Sequence, residues 1–455
     1  MPTQCNTKPL EFEPHGRRRV VADFDGGPIT SDAGALLLRR VDRRLSLSDQ
    51  VAACFTDHRD PRRIRHSLRK LVAQRIVGIA QGYEDLIDHD QLRHDPVMAL
   101  LSEKGRRSDS PPLAGKSTLN RLEHAPTQGS GRYHKIDHDL EALQALLVEL
   151  FIQAHPQPPD EIILDLDATD DPLHGEQEQR FFHGYYKGYC YLPLYIFSGR
   201  HLLSALLRPA NIDASADALK HVQRIVSRLR DLWPQVKILL RADSGFAREE
   251  LMGWCEHNQV DYLFGLARNC RLQDAIAPEL AQAQALFNQQ QQPVRLFTDL
   301  SYRTQKSWSC QRRVVAKAEV LPRGPNPRFV VTSLSAGDYP AQPLYEQIYC
   351  ARGEMENRIK EQQLDLFADR TSTRSFRANQ FRLLMASFAY VLVEGLRRRA
   401  LQSTSLARAT VGSIRLKLLK IGAQVTTSVR RIKVAMASGC PYQREFRRAW
   451  AHLPP

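Results

Sequence analysis

Apolar residues recur at three and four between His138 and Gln153, where Leu140, Leu143, Leu146, Leu147, Leu150 and Phe151 share one side. That period predicts an amphipathic helix, and Pro156 to Pro159 ends it. Beyond the break the pattern changes. Glu161 to Asp167, Val236 to Asp243 and Asp261 to Leu266 are short apolar runs of the kind that form buried strands. Cys190 to Ser198 and His201 to Arg208 read as an antiparallel pair turning at Ser198-Gly199. Ala214 to Leu232 and Arg248 to His257 read as helices between the later strands. The order β, β, β, α, β, α, β predicts an α/β mixed sheet with helices against its faces.

The flanks read differently. Met1 to Val21 is polar and expected to be partly disordered, with a basic Arg17-Arg18-Arg19. Helical stretches follow at Ser31 to Leu47, Pro61 to Gly82 and Asp95 to Leu101. Ser108 to Pro112 reads as a loop, and Ser117 to His124 as a short helix capped by Ser117. Arg268 to Gln292 is polar and ends in a glutamine run. Val294–Phe297, Lys306–Cys310, Arg313–Leu321 and Phe329–Thr332 read as short strands, a β-rich insertion into the sheet domain. Tyr345 to Asp365 and Gln380 to Leu401 read as helices, and Arg415 to Ile421 and Val429 to Met436 complete the tail. The expected division is therefore residues 1–130 helical, 131–266 the first part of the sheet domain, 267–335 the insertion, 336–372 its last helix, and 373–455 a basic helical tail.

Charge narrows the partners. The 455 residues carry a net +14, which points to a polyanion. The tail is the source: residues 391–455 hold 13 Lys and Arg against 2 Asp and Glu. A basic helical N-terminal region suits helix-turn-helix-like DNA binding and also suits a plain packing domain. The eight cysteines are scattered without a C-x2-C pair, which argues against a zinc ribbon and suits a reducing cytosol. Residues 1–27 lack the apolar stretch of a signal peptide, and the longest apolar run, Leu383 to Val393, is too short to span a bilayer. Gly115-Lys116-Ser117-Thr118 lacks both the earlier glycine and the preceding strand of a phosphate-binding loop, so nucleotide binding there is rejected.

Three acids carry the chemistry. Asp167 and Asp243 end two of the apolar runs, and Glu356 lies in a helical stretch in which Tyr349, Arg352, Glu356 and Lys360 share one face. Carboxylates from separate elements can hold Mg²⁺ or Mn²⁺, and a pair of such ions can activate an attacking oxygen and stabilise a leaving one. Asp165 and Asp167 project from the same side of their strand, so either can be the first ligand. Taken singly, each acid is more often a cap, a turn residue or a solvated helix acid, and Arg352 with Glu356 can be an ordinary intrahelical pair.

Asp-x-Thr at Asp167 and Thr169, Asp-Ser-Gly-Phe at Asp243 to Phe246, and Tyr-x2-Arg-x3-Glu at Tyr349, Arg352 and Glu356 resemble the DDE transposases of bacterial insertion sequences. The branch resembled has a β-rich insertion before the glutamate. Gly175-Glu176-Gln177-Glu178 and Phe182-His183-Gly184-Tyr185 are similar to it as well. The resemblance covers about Glu161 to Asp369. It implies an RNase H-like domain, a fold whose element order the apolar runs share. It also implies catalytic Asp167, Asp243 and Glu356, two divalent ions with Asp165 as a further candidate ligand, and phosphate contacts from Tyr349 and Arg352. The family's lysine seven residues after the glutamate is Gln363 here, so Lys360 or Arg358 is the candidate for that charge. Trp308 is the candidate for stacking on a flipped base, against the alternative of a core tryptophan.

The function expected is a transposase that binds the inverted repeats of its element, hydrolyses the DNA ends and joins the freed 3′-hydroxyls to target DNA. Its partners would be double-stranded DNA and at least a second copy of the chain, in a prokaryotic, nucleoid-associated setting with no membrane. The alternatives are a metal-dependent nuclease without strand transfer and a silent DNA-binding descendant.

Overall fold

The computed structural model describes residues 9–102, 112–124 and 133–454. The chain divides into two compact units: residues 1–48, 60–120 and 395–455 form one, and residues 49–59 and 121–394 form the other.

The larger unit is built on a nine-stranded mixed sheet among the described residues. Its main strands are β1 (Glu161–Ala168), β2 (Leu194–Ser198), β3 (His201–Leu206), β4 (Lys237–Ala242), β5 (Asp261–Leu266), β6 (Val294–Tyr302), β7 (Arg312–Leu321) and β8 (Arg328–Thr332). They lie in the order β3-β2-β1-β4-β5-β8-β7-β6. β1 runs parallel to β4, and β4 to β5, whereas β2 is antiparallel to both of its neighbours. β1 is apolar from Ile162 to Leu164 because that part is covered on both faces. Ile162, Leu164 and Leu166 enter the main core, with Val222, Ile225, Leu240 and Phe264. Ile163 lies on the opposite face, packed against Leu239, Leu263, Leu344 and Tyr345. Asp165 and Asp167 follow Ile163 on that second face.

The helix expected at His138 to Gln153 runs from Leu140 to Gln153, with Asp139 accepting from the amides of Glu141 and Ala142. Helices Ala218–Leu232 and Glu249–His257 occupy their expected places. The strand expected over Cys190 to Ser198 is two strands, Gly188–Tyr191 and β2. Pro193 between them has no amide to donate to a ladder. Gly188–Tyr191 joins Asp171–Pro172 and Phe181–His183 in a separate small sheet. Gly199, at φ +56°, makes the β2–β3 turn.

The β-rich block expected as an insertion is joined to the central sheet. β8 pairs with β5, so β8, β7 and β6 extend the central sheet. Residues 306–310, expected as a strand, lie in the loop between β6 and β7, where the Thr304 hydroxyl accepts from the Trp308 amide and bonds Ser307. The polar stretch before β6 is helical at Cys270–Ala275 and Ala277–Gln290, with few buried residues, which is why it shows no apolar stripe.

In the smaller unit, helix Leu36–Leu45 buries Leu37, Leu38, Val41 and Leu45, and helix Leu68–Ala80 buries every residue from Leu71 onward. Buried Asp32 pairs with Lys420 at 2.7 Å and accepts from the Tyr83 hydroxyl at 2.6 Å. Ile29–Thr30, Ala423–Thr427 and Ile432–Met436 form a three-stranded sheet. The N-terminal stretch expected to be disordered forms a hairpin, Leu10–His15 with Arg18–Ala22, turning at Gly16 with φ +62°; residues 1–8 and most of the 108–112 loop lie outside the described residues. The helix expected to be capped by Ser117 starts at Lys116. Its first amide donates to Asp90, which leaves a carboxylate where a bound phosphate would sit and agrees with rejecting a nucleotide site. Among the described residues no helix is long and apolar enough to cross a membrane. Phe388, Ala389, Tyr390, Leu392 and Val393 are buried within the protein.

Candidate active site

The parallel register places the acids. Ile163 faces Leu239 and Asp165 faces Arg241, so one step further brings Asp243 level with Asp167 at the open ends of β1 and β4. There the chain of Asp243 turns sharply, and its carboxylate accepts from the Gly245 amide at 2.9 Å. On β5, Leu263 faces Arg241, and Gly265 comes next to Asp243 in the same way. A Cβ on Gly265 would stand 2.6 Å from the Tyr349 hydroxyl and 2.9 Å from the Ser244 amide nitrogen. Tyr349 therefore lies over a strand position that only glycine leaves open.

The segment Leu344 to Asp365 crosses this face. It is helical throughout, though with wide turns at Leu344–Tyr349 and Glu361–Asp365, a tight turn at Cys350–Arg352 and regular α-helix only at Gly353–Lys360. Leu344 and Tyr345 anchor it on Leu239, Leu263 and Val330. Arg352 does what a solvated helix face would not. It lies 3.4 Å from Glu356 and also 3.6 Å from Asp167, with its side chain only 13% exposed. The intrahelical pair is thus real, and it is extended across to the end of β1.

Electrostatics ties the group together. Burial pushes the Asp167 carboxyl up to about 6; Arg352 opposes the rise, while the carboxylates of Asp243 and Glu356 add to it. Burial disfavours charge on Arg352, but Asp167, Tyr349, Asp243 and Glu356 outweigh this and raise its pKa. Burial likewise raises Tyr349, with Arg352 opposing and Asp243 assisting. The three expected acids, Tyr349 and Arg352 therefore share one electrostatic neighbourhood.

The other candidates stand apart. Asp165 is 3% exposed, and both of its oxygens are taken by Arg241, at 2.7 and 2.8 Å. The Arg241 guanidinium also donates to the Ile348 carbonyl at 2.6 Å, so this pair ties β1 and β4 to the crossing segment. As placed, Asp165 is a structural anion rather than a free metal ligand. Lys360 is exposed at the end of the regular helix. Trp308 is 4% exposed, edge-on to Tyr302 at 5.7 Å and beneath the Arg312 guanidinium, so it offers no open ring to a base. Gln363, which stands where the resemblance expects lysine, donates to Asp171 at 2.9 Å and to the Asp170 carbonyl at 3.0 Å. It fastens the small sheet instead of presenting charge.

Sequence reasoning missed Arg241, Gly265 and Tyr186. Tyr186 and Ala168 pack against the cluster of Cys190, Leu192 and Ala210, and the Tyr186 hydroxyl is pushed up to about 12 by burial and by Asp170 and Asp167. A glycine inside the apolar strand Asp261–Leu266 was the visible signal for Gly265.

The donor chemistry fits a hard divalent cation, since the candidate donors are carboxylates, and Asp167 is raised by burial first and by the neighbouring Asp243 and Glu356 after it. Among the described residues no three His, Cys, Asp or Glu stand close enough to hold one ion, and Arg352 lies between Asp167 and Glu356.

No curated protein matches the chain. Among solved structures, a cryo-EM structure of a piggyBac transposase synaptic complex with hairpin DNA is similar at 10% identity, over 86% of this chain and 80% of that chain, with a TM-score of 0.39. The family model described as transposase DDE domain group 1 matches residues 12–455, and the chain belongs to that family of DDE transposases.

Proposed function

We propose that this transposase binds the ends of its own insertion sequence, hydrolyses a DNA strand at each, and joins the freed 3′-hydroxyls to target DNA through Asp167, Asp243 and Glu356. One observation carries the reading: Arg352 links Glu356 to Asp167 across nearly two hundred residues of sequence, beside Asp243. The order β3-β2-β1-β4-β5, with β2 alone reversed, supports an RNase H-like sheet.

Asp167, Asp243 and Glu356 would hold two ions of Mg²⁺ or Mn²⁺, which supply Lewis acidity and a deprotonated water for phosphodiester attack. The protein's own residues do the positioning. Arg352 balances the clustered carboxylates while no DNA is present, and its guanidinium is placed to take a phosphate next to the cleaved bond. Tyr349, over Gly265, offers its hydroxyl to the same backbone. Lys360 offers a further cation along the helix. Small residues beside the aspartates, Ala168 and Gly245, leave room for the strand to approach. The basic N-terminal and C-terminal regions grip the end sequences, and two ends require a dimer or larger complex, in a nucleoid setting.

The test is incubation of the purified protein and Mg²⁺ with a plasmid carrying the coding region and its flanking DNA. Cleavage at matching inverted repeats followed by joining supports the reading. Nicking without joining replaces it with a nuclease, and binding alone with a silent descendant.

A further inference from the structure

We propose that the hairpin formed by Phe181–His183 and Gly188–Tyr191 is a stacking platform for unpaired DNA bases at the cut end. The proposal rests on the function just described and deepens it.

The hairpin is unusual in what it exposes. Phe181, Phe182, Tyr185 and Tyr189 are 39, 59, 82 and 49% exposed. Phe182 and Tyr189 are a cross-strand pair, edge to face at 5.8 Å, and Tyr185 meets Tyr186 edge to face at 5.0 Å. These rings are ordered by one another yet leave faces open, a costly arrangement in water unless something covers them. From Gln179 to Tyr189 there is no Asp or Glu; Lys187 is exposed, and the Arg180 guanidinium lies 5.0 Å from the Tyr189 ring centre and 3.9 Å from the exposed Glu176 just outside the hairpin. Aromatic faces interleaved with cations suit nucleic-acid bases and their phosphates, because every base has a π face.

Position selects the occupant. The small sheet leaves β1 directly after the Asp167 end, through Asp171–Pro172 paired with Cys190 and Tyr191. The Thr169 amide donates to the Pro193 carbonyl, and Tyr186, at the turn of the hairpin, packs on the same cluster of Cys190, Leu192 and Ala210 as Ala168, which follows Asp167. Lys187 holds φ +54° there, and its amide donates to the His183 carbonyl at 2.8 Å, so the turn is fixed. The open rings thus begin one residue from the side chain that borders the candidate carboxylates. A duplex end cut with a stagger carries unpaired bases, and such an end is the polyanion expected at that place. Stacking on Tyr185 and Phe182 would hold the end open while the acids act.

The experiment compares anisotropy binding of a short labelled duplex bearing a single-stranded pyrimidine extension with the same duplex left blunt. The wild-type chain should prefer the extended probe. The Phe182→Ala, Tyr185→Ala double variant should lose roughly tenfold affinity for the extended probe and little for the blunt one, and Tyr185→Phe should bind both as the wild type does. An equal loss on both probes, or no loss on either, overturns the platform. A change in oligomeric mass with probe selectivity intact would make the hairpin a contact between copies and overturn it too. Cleavage does not enter this readout, so failure of the catalytic assignment is scored separately with the plasmid carrying the flanking DNA.

Discussion

At the scale of the residue, two neighbouring acids on one strand face have different work. Asp165 is committed to Arg241 in a buried pair, whereas Asp167 faces Arg352 and the other candidate carboxylates. Sequence could not separate them, because alternation puts both side chains on the same side and the partner that claims Asp165 comes from a different strand. Removing one partner of a buried pair leaves an uncompensated charge. Asp165→Ala should therefore cost about 3 kcal/mol in urea unfolding. Asp165→Leu combined with Arg241→Met should recover most of that and retain cleavage; a stable double variant that cannot cleave would return Asp165 to the ligand set. Gly265 is the second case. Gly265→Ala should destabilise by about 1–3 kcal/mol through overpacking, and Tyr349→Phe in that background should recover part of the loss, because the contact removed is with the hydroxyl. Unchanged melting of Gly265→Ala would mean that Tyr349 does not rest on β5.

At the scale of the element, the strands and helices of the central sheet were legible because their apolar periods are strong. Glu161 to Asp167, Val236 to Asp243 and Asp261 to Leu266 became β1, β4 and β5 within a residue or two. The misreadings have physical causes. Pro193 broke a strand that composition alone ran together. Residues 306–310, Lys-Ser-Trp-Ser-Cys, alternate as a strand does, and their one large apolar residue, Trp308, is buried from a loop. Pairing of β8 with β5 is a long-range choice with no local signal, so the extension of the sheet by the β-rich block was not legible. The site helix read as regular, while its wide turns come from packing on the sheet. Buried histidines in this unit make its stability depend on pH. His138, stacked on Phe381 at 4.4 Å, is held down to about 4 by burial and by Arg377, and His221 to about 4 by burial and Arg224. Their folded pKa values lie below the unfolded value near 6.5, so the unfolded chain takes up protons first as pH falls. Their contribution is complete above about pH 6.5 and is lost toward about pH 4, up to about 3 kcal/mol for each histidine. Asp167 acts in the opposite sense, since its raised pKa favours the folded state below about pH 6. His138→Phe should flatten the fall in unfolding free energy between pH 7 and pH 5 by about one proton; an unaltered slope would mean that His138 is charged in the folded protein.

At the scale of the whole molecule, the charge was the most readable feature and the least specific. A net +14, concentrated in residues 391–455, favours DNA without saying which sequence. Affinity for DNA should fall steeply with salt, roughly a thousandfold between about 50 and about 200 mM if about six phosphates are contacted; a flat dependence would take the basic regions out of the interface. What no local pattern revealed was that Asp167 and Asp243 stand level on neighbouring strands, with Glu356 linked to Asp167 through Arg352. It depends on the register of β1 with β4 and on a segment that returns across the sheet about a hundred residues later. The measurement that bears on it most directly is cleavage of the plasmid carrying the element ends by Asp167→Asn, Asp243→Asn and Glu356→Gln, each compared with the wild type in Mg²⁺ alongside end binding. The account predicts that all three variants bind the ends and none cuts them. A variant that cuts at the wild-type rate would contradict a single site built from those acids.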